Sequence, residues 1–308
     1  MPPVHEGSTT LARSLVQATL RWARRLFLPL ALAFFAFAAW ASRDVVAEVV
    51  VRAEVRLLLA AVATWCSLHL LTPLTTRLAL AALGVPIDYR TALHIHIRRL
   101  PARYLPGGIW QTVSRVADLR AMGVGKSQLA ALVALENAAP LAVAMLLAGA
   151  WLAIAGATAV PAPALLAAGG GLALCLPWLM HRALPGIGRI RLRHYLGVLG
   201  SCAVFWMVAA GAFACYWSAF PDARAEADLP SLLGTYLLAW SAGFAAIFAP
   251  QGIGVFESVA ALMLDGRLSF ALVAVMVAGF RAATLTGDLL AYLMAKGAFG
   301  VWSRTPSN

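Results

Sequence analysis

Charge is scarce in this sequence: Asp, Glu, Lys and Arg make up only 12% of its 308 residues, whereas hydrophobic residues make up 62%. A soluble domain usually carries about twice that charged fraction. Several apolar runs approach or exceed the roughly 20 residues that a helix needs to cross a bilayer. We therefore predict an all-α polytopic membrane protein with about six transmembrane helices. The predicted spans are 26–42, 57–83, 128–157, 164–180, 196–219 and 269–297.

Cysteine is also rare, and Cys66, Cys175, Cys202 and Cys215 all fall within apolar runs. No pair has the spacing of a metal site, and nothing suggests a disulfide framework. We interpret all four as small buried hydrophobic residues. The sequence predicts neither a metal site nor a cofactor.

Acidic residues number only 13 against 24 basic ones, which gives a net charge of +11. In membrane proteins an excess of Lys and Arg marks the cytoplasmic connections, and 17 of the 24 basic residues fall in four alternating stretches. These stretches are 1–26, 84–127, 181–194 and the tail from 296. The pattern predicts cytoplasmic termini, with anionic lipid head groups rather than nucleic acid beside the basic stretches.

Three segments follow from this distribution of charge and hydropathy. Residues 1–25 form a basic amphipathic N-terminus on the cytoplasmic side, and residues 26–300 form a single transmembrane domain. Residues 301–308 form a cytoplasmic tail.

Two proline-glycine motifs, "YLPGGIWQ" and "APQGIGVF", start 144 residues apart, counted from one proline to the other. Each precedes a short amphipathic stretch and a long apolar helix with one buried charge. Glu136 lies 30 residues after Pro106, and Arg281 lies 31 residues after Pro250. We call the two motifs the first and the second break, and their residues are Pro106, Gly107, Gly108, Pro250, Gly252 and Gly254. The matched spacing predicts an internal repeat.

The charge pattern constrains how these motifs are placed. Residues 87–122 are too polar to span and return to the cytoplasmic side, either as a surface excursion or as a re-entrant hairpin. For the C-terminus to lie inside, residues 231–264 form a second re-entrant hairpin. Each half, about 26–157 and 164–298, then crosses three times, which gives inverted repeats of the transporter type. Residues 231–249 are long enough to span outright, and in that alternative either the C-terminus moves to the other side or another segment fails to cross.

Charged residues inside the membrane are the candidate site, since they are costly there. Glu136 and Arg281 both fall at mid-depth of their helices, and we expect them to lie close together. A buried pair needs further hydrogen bonds, which Asn137 and Thr284 can supply. Asp288 follows Arg281 by two helical turns and is a second candidate partner. A purely structural ion pair is the alternative.

The short stretches that follow the two breaks carry further candidate site residues. Arg115 can hold a phosphate oxygen, and Glu257 lies near the start of a helix, whose free N–H groups favour anions. His94 and His96 are two residues apart, so they point to different faces of a helix. We interpret them as lining an interfacial surface rather than binding a metal.

The motifs "YLPGGIWQTVSR", "ALEN", "PQGIGVFES" and "GFRAATL" resemble the flippase-like transmembrane domain of lysylphosphatidylglycerol synthases over residues 20–300. The most specific match is Pro-x-Gly-x-Gly-Val-x-Glu, from Pro250 to Glu257, followed by Phe280-Arg281. Many members read Gly-Gly-Asp at the first motif, where this sequence reads Gly-Gly-Ile-Trp. Because the sequence ends at Asn308, the aminoacyl-transferase domain and its lysine transfer are not expected.

The resemblance implies a protein of the bacterial inner membrane that moves a phospholipid or a polyprenyl-linked glycolipid between leaflets for envelope assembly. It implies that Arg115, Glu136 and Arg281 contact the head group. One alternative is a non-catalytic accessory subunit that partners glycan or lipid biosynthesis enzymes. Another is a membrane-embedded transferase, but its expected Asp-rich motif or carboxylate pair is missing. The sequence therefore favours a protein that is not an enzyme.

Overall fold

The computed structural model describes residues 51–104, 110–184, 186–225, 227–246, 252–264 and 270–302. Several predicted features lie outside these residues: segment 1–25, the first span at 26–42, Pro106, Gly107, Gly108, Pro250 and residues 303–308.

The described residues form ten α-helices and one short 3-10 helix, and they contain no strand. The α-helices are α1 Val55–Ala82, α2 Tyr89–Arg99, α3 Trp110–Ala121, α4 Lys126–Ile154, α5 Ala162–Ala183, α6 Leu192–Ser218, α7 Pro221–Ala225, α8 Leu229–Ala245, α9 Val255–Met263 and α10 Phe270–Trp302. The 3-10 helix is Leu100–Tyr104. The prediction of an all-α chain is confirmed.

Among the described residues, five helices are long and apolar enough to cross a membrane: α1, α4, α5, α6 and the Leu272–Ala298 part of α10. They correspond to the last five of the six predicted spans. The helices beside the second break are shorter, since α8 has 17 residues and α9 has nine.

The helices pack in a pattern that repeats between the two halves of the chain. α1 packs against α2 as α6 packs against α8, and α3 packs against α4 as α9 packs against α10. The contact of α1 with α10 corresponds to that of α6 with α4. Each described half therefore contains a long helix, a broken pair of short helices and a second long helix, in that order.

The second break depends on glycine at two positions. Gly252 and Gly254 have φ angles of 65° and 85°, a region that side chains with a Cβ rarely adopt. A Cβ on Gly252 would lie 2.8 Å from the Cα of Gly243 in α8. The backbone after the break thus touches α8, and α8 and α9 pack against each other as a hairpin.

Prolines interrupt the backbone hydrogen bonds of three membrane-length helices. Pro177 lies inside α5 and has no N–H to donate to the carbonyl of Ala173, four residues earlier. The hydroxyl of Tyr195 in α6 donates to that carbonyl instead. A side chain of the next helix therefore satisfies the backbone group that the proline frees, as hydrocarbon surroundings require.

Candidate functional site

The carboxylate of Asp288 in α10 is the most highly connected polar group inside the described bundle. Its side chain is 2% exposed, and the Trp65 indole N–H donates to it at 2.7 Å. His69 Nε2 lies 3.0 Å away and acts as a donor, since an ionised carboxylate only accepts. Arg103 donates at 3.1 Å, and the Tyr104 hydroxyl also donates. Asp288 therefore joins α10 to α1 and to the 3-10 helix.

A small residue allows this close contact between α10 and α1. A Cβ on Gly287 would lie 3.0 Å from Trp65 Cδ1 and 3.3 Å from the carbonyl oxygen of Val62. Because Gly287 has no Cβ, α10 can approach α1 closely enough for Asp288 to reach the Trp65 indole.

His69 also contacts His96 of α2, with 3.0 Å between His69 Nδ1 and His96 Nε2. Both residues are buried. Burial lowers the pKa of His96 to about 3, and the neighbouring His69 and the guanidinium groups of Arg115 and Arg103 act in the same direction, so the His96 imidazole is neutral. The interpretation of His96 as a surface residue is wrong. His94 is exposed, whereas His96 is buried and contacts His69, which in turn contacts Asp288.

A second cluster joins α3, α4 and α1. Arg115 NH2 of α3 forms an ion pair with Glu136 of α4. The hydroxyl of Thr76 in α1 donates to the other Glu136 oxygen at 2.6 Å. Arg115 Nε is buried and has no hydrogen-bond partner among the described residues. One guanidinium donor of Arg115 is thus buried without a partner among the described residues.

A third cluster lies where the second break meets α10. Glu257 of α9 is 1% exposed, and Arg281 Nε lies 3.0 Å from its Oε1. The backbone N–H of Gly254 donates to the other carboxylate oxygen at 2.6 Å. The Arg281 guanidinium also lies 5.8 Å from the ring centroid of Phe256, within range of a cation–π contact. Glu257 therefore braces the helix start while it neutralises Arg281.

We expected Glu136 and Arg281 to lie close together, and the structure gives each of them its own ion-pair partner. In the structure, the carboxylate of Glu136 pairs with Arg115, and Arg281 pairs with Glu257. The short stretch after each break thus supplies the partner for the long helix that directly follows it.

The other expected supporting groups have different partners. Asp288 pairs with Arg103 and His69. The Asn137 amide is exposed and donates to the carbonyl of Val133 in its own helix. The Thr284 hydroxyl likewise donates to a carbonyl in its own helix, one turn earlier.

Sequence reasoning missed the uncharged polar residues of α1. Trp65, His69 and Thr76 lie on one face of that helix, at spacings of four and seven residues, and all three are buried. This polar stripe on an otherwise apolar helix was visible in the sequence. Pro73 adds a further signal, because it frees the carbonyl of His69, just as Pro140 frees that of Glu136.

Two helices join the three clusters. α1 carries His69, which contacts Asp288, and Thr76, which contacts Glu136. α10 carries both Asp288 and Arg281, the partner of Glu257. We call the three clusters together the polar network.

A shallow cavity of about 220 Å³ opens elsewhere, between α2 and α3, beside Arg98 and Asp118. Arg99 donates to both oxygens of Asp118 and holds the pKa of that carboxyl below its usual value. None of the clustered residues above lines this cavity. Across the described ranges, no group of three or more His, Cys, Asp or Glu side chains is arranged to hold a metal ion.

Comparison of the sequence with protein-family models and with curated proteins finds no match.

Proposed function

We propose that this chain moves a phospholipid or a polyprenyl-linked glycolipid between the leaflets of a bacterial inner membrane. The observation that carries the proposal is the polar network around Asp288, Glu136 and Glu257, which lies inside a bundle of membrane-length helices. Charged groups in such a position are costly and usually mark a pathway for a polar substrate.

The proposed topology has six transmembrane helices and two re-entrant hairpins, related as inverted repeats with cytoplasmic termini. It is supported by the packing contacts that correspond between the two halves. The short α8 and α9, with glycines between them, also suit a hairpin that enters and leaves on one side. Broken helices of this kind form the substrate sites of several transporter folds.

In the proposed mechanism, the head group passes through the polar interior while the acyl or prenyl tails stay in lipid. Arg103, Arg115 and Arg281 contact the anionic part of the head group, because guanidinium groups match phosphate oxygens well. Glu136 and Glu257 hold two of these arginines in place when no substrate is bound. The motif resemblance around Glu257 and Arg281 agrees with this role.

Reconstitution of the purified chain into liposomes tests the proposal. Fluorescent phosphatidylglycerol, phosphatidylcholine and a polyprenyl phosphate are placed in both leaflets, and dithionite quenches the outer one. We expect at least one of these lipids to become fully quenchable in vesicles that contain the protein. Vesicles that contain folded protein but move none of them contradict the proposal.

A further inference from the structure

Each oxygen of Asp288 has two hydrogen-bond partners, and the partners of the two oxygens differ in kind. Oδ1 accepts from His69 and Trp65 on α1. Oδ2 accepts from Arg103 and from Tyr104 on the 3-10 helix. One side of the carboxylate thus faces a group that can gain a proton, and the other faces a permanent cation.

Arg103 is the partner that can leave. Its side chain is 41% exposed, whereas those of Asp288 and His69 are 2% and 7% exposed. In the sequence it lies three residues before Pro106. Its NH1 atom makes the contact with Asp288, so a ligand with phosphate oxygens can compete for the same guanidinium.

The loss of Arg103 would leave Asp288 as a buried charge without a cation, which is strongly unfavourable. His69 offers the compensation. Its Nε2–H already donates to Asp288, and its Nδ1 accepts from the Nε2–H of His96. His96 is therefore placed to deliver a proton to His69.

We infer that Asp288 exchanges counter-ions: Arg103 leaves it to bind the phosphate of a lipid head group, and His69 takes up one proton. The inference rests on the proposed function, since it assumes that an anionic head group enters the network. Its charges balance, because Asp288 and Arg103 are neutral together before binding. Afterwards Arg103 is paired with phosphate and Asp288 with the His69 imidazolium.

The proton moves without any other reactant. A proton from water binds His96 Nδ1, and the Nε2 proton of His96 passes to His69 Nδ1. His96 is then neutral again, with its proton on Nδ1, and its Nε2 accepts from His69. The net change is one proton gained by His69 and one lost by the medium.

The groups around His69 leave this exchange intact. α10 supplies Asp288, α2 supplies His96, and the 3-10 helix supplies Arg103 and Tyr104. The charge of Arg115 from α3 is offset by Glu136 from α4. α6 meets α1 through a hydroxyl contact between Thr75 and Ser201, which carries no charge.

Calorimetry on the full chain in a non-ionic detergent tests the inference. Dihexanoyl phosphatidylglycerol is titrated in two buffers of different ionisation enthalpy, which gives the number of protons taken up. Dihexanoyl phosphatidylcholine and inorganic phosphate are the comparison ligands. The variants are His69→Gln and Asp288→Asn, with His94→Gln as an exposed control on α2. Thermal melting identifies any variant that does not fold.

We expect wild type and His94→Gln to take up close to one proton, with an affinity that falls by up to about tenfold per pH unit as pH rises. Both other variants should show no uptake and little pH dependence. Equal uptake in His69→Gln or in Asp288→Asn overturns the inference, and so does wild-type binding without uptake. Inorganic phosphate that binds as tightly as the lipid overturns the assignment to a head group.

The outcomes of the two experiments distinguish a failure of the proposed function from a failure of the counter-ion exchange. Lipid binding with proton uptake, but without movement in liposomes, contradicts transport and supports the exchange. Lipid movement without proton uptake contradicts the exchange alone. No binding and no movement contradict both.

Discussion

Glu257 of α9 and Arg281 of α10 lie 3.0 Å apart, with the acid on the short helix and the base on the long one. Arg115 of α3 and Glu136 of α4 make the equivalent contact with the charges exchanged. The two halves of the chain therefore preserve the position of an ion pair but not its polarity. If a head group passes between the halves as proposed, it would meet a different sign of charge from each long helix.

The Arg115–Glu136 pair should contribute to stability through mutual neutralisation. Glu136→Gln leaves a largely buried guanidinium without its counter-ion, a change that typically costs about 3–5 kcal/mol. We expect a clearly lower Tm in detergent. Glu54→Gln is the matched control, because Glu54 is paired with Arg56 and Arg224 at the surface, where ion pairs contribute little. Similar melting of both variants would contradict the assignment.

The break between α8 and α9 should tolerate no side chain at Gly252. In Gly252→Ala, the Cβ would lie 2.8 Å from the Cα of Gly243, at a φ of 65°. We expect a loss of about 1–3 kcal/mol in stability from the strained backbone alone, and more from the clash. Gly171→Ala is the control, since a Cβ there meets nothing within 4 Å. A Gly252→Ala protein that melts like wild type would show that the break is formed differently.

The hydrogen bond from Tyr195 to the Ala173 carbonyl should stabilise the protein only because Pro177 leaves that carbonyl without its helical donor. Tyr195→Phe removes the hydroxyl that satisfies the freed carbonyl, and we expect a cost of about 1–3 kcal/mol. Pro177→Ala restores a backbone N–H at that position, so the same Tyr195→Phe change should cost much less in its presence. Thermal melting of both single variants and of the double variant gives the coupling. An equal cost in both backgrounds would contradict this explanation.

Much of the fold follows directly from the sequence. The apolar runs predicted the five described membrane-length helices, because burial in lipid requires long uninterrupted stretches. Gly252 and Gly254 marked the second break in the sequence, and both have positive φ angles, which glycine adopts readily. The first predicted span and the break at Pro106 lie outside the described residues.

The pairing within the site was less predictable. The sequence singled out Glu136, Glu257 and Asp288, whose side chains are 10%, 1% and 2% exposed, whereas that of Arg281 is 35% exposed. It also placed Glu136 and Arg281 at matched positions. It did not show that Arg115 and Glu257 would reach them, since that depends on how each short helix folds back onto the long one. The cluster around Asp288 joins residues from 65 to 288, and such contacts depend on tertiary packing rather than local pattern.

The most direct test of the account compares lipid movement by Asp288→Asn with that by wild type in the same liposomes. Asp222→Asn, at an exposed carboxylate near Arg52, is the control. We expect Asp288→Asn to lower the rate at least about tenfold, which corresponds to roughly 1.4 kcal/mol in the barrier. Asp222→Asn should leave the rate unchanged. A folded Asp288→Asn protein that moves lipid at the wild-type rate would contradict a pathway through this network.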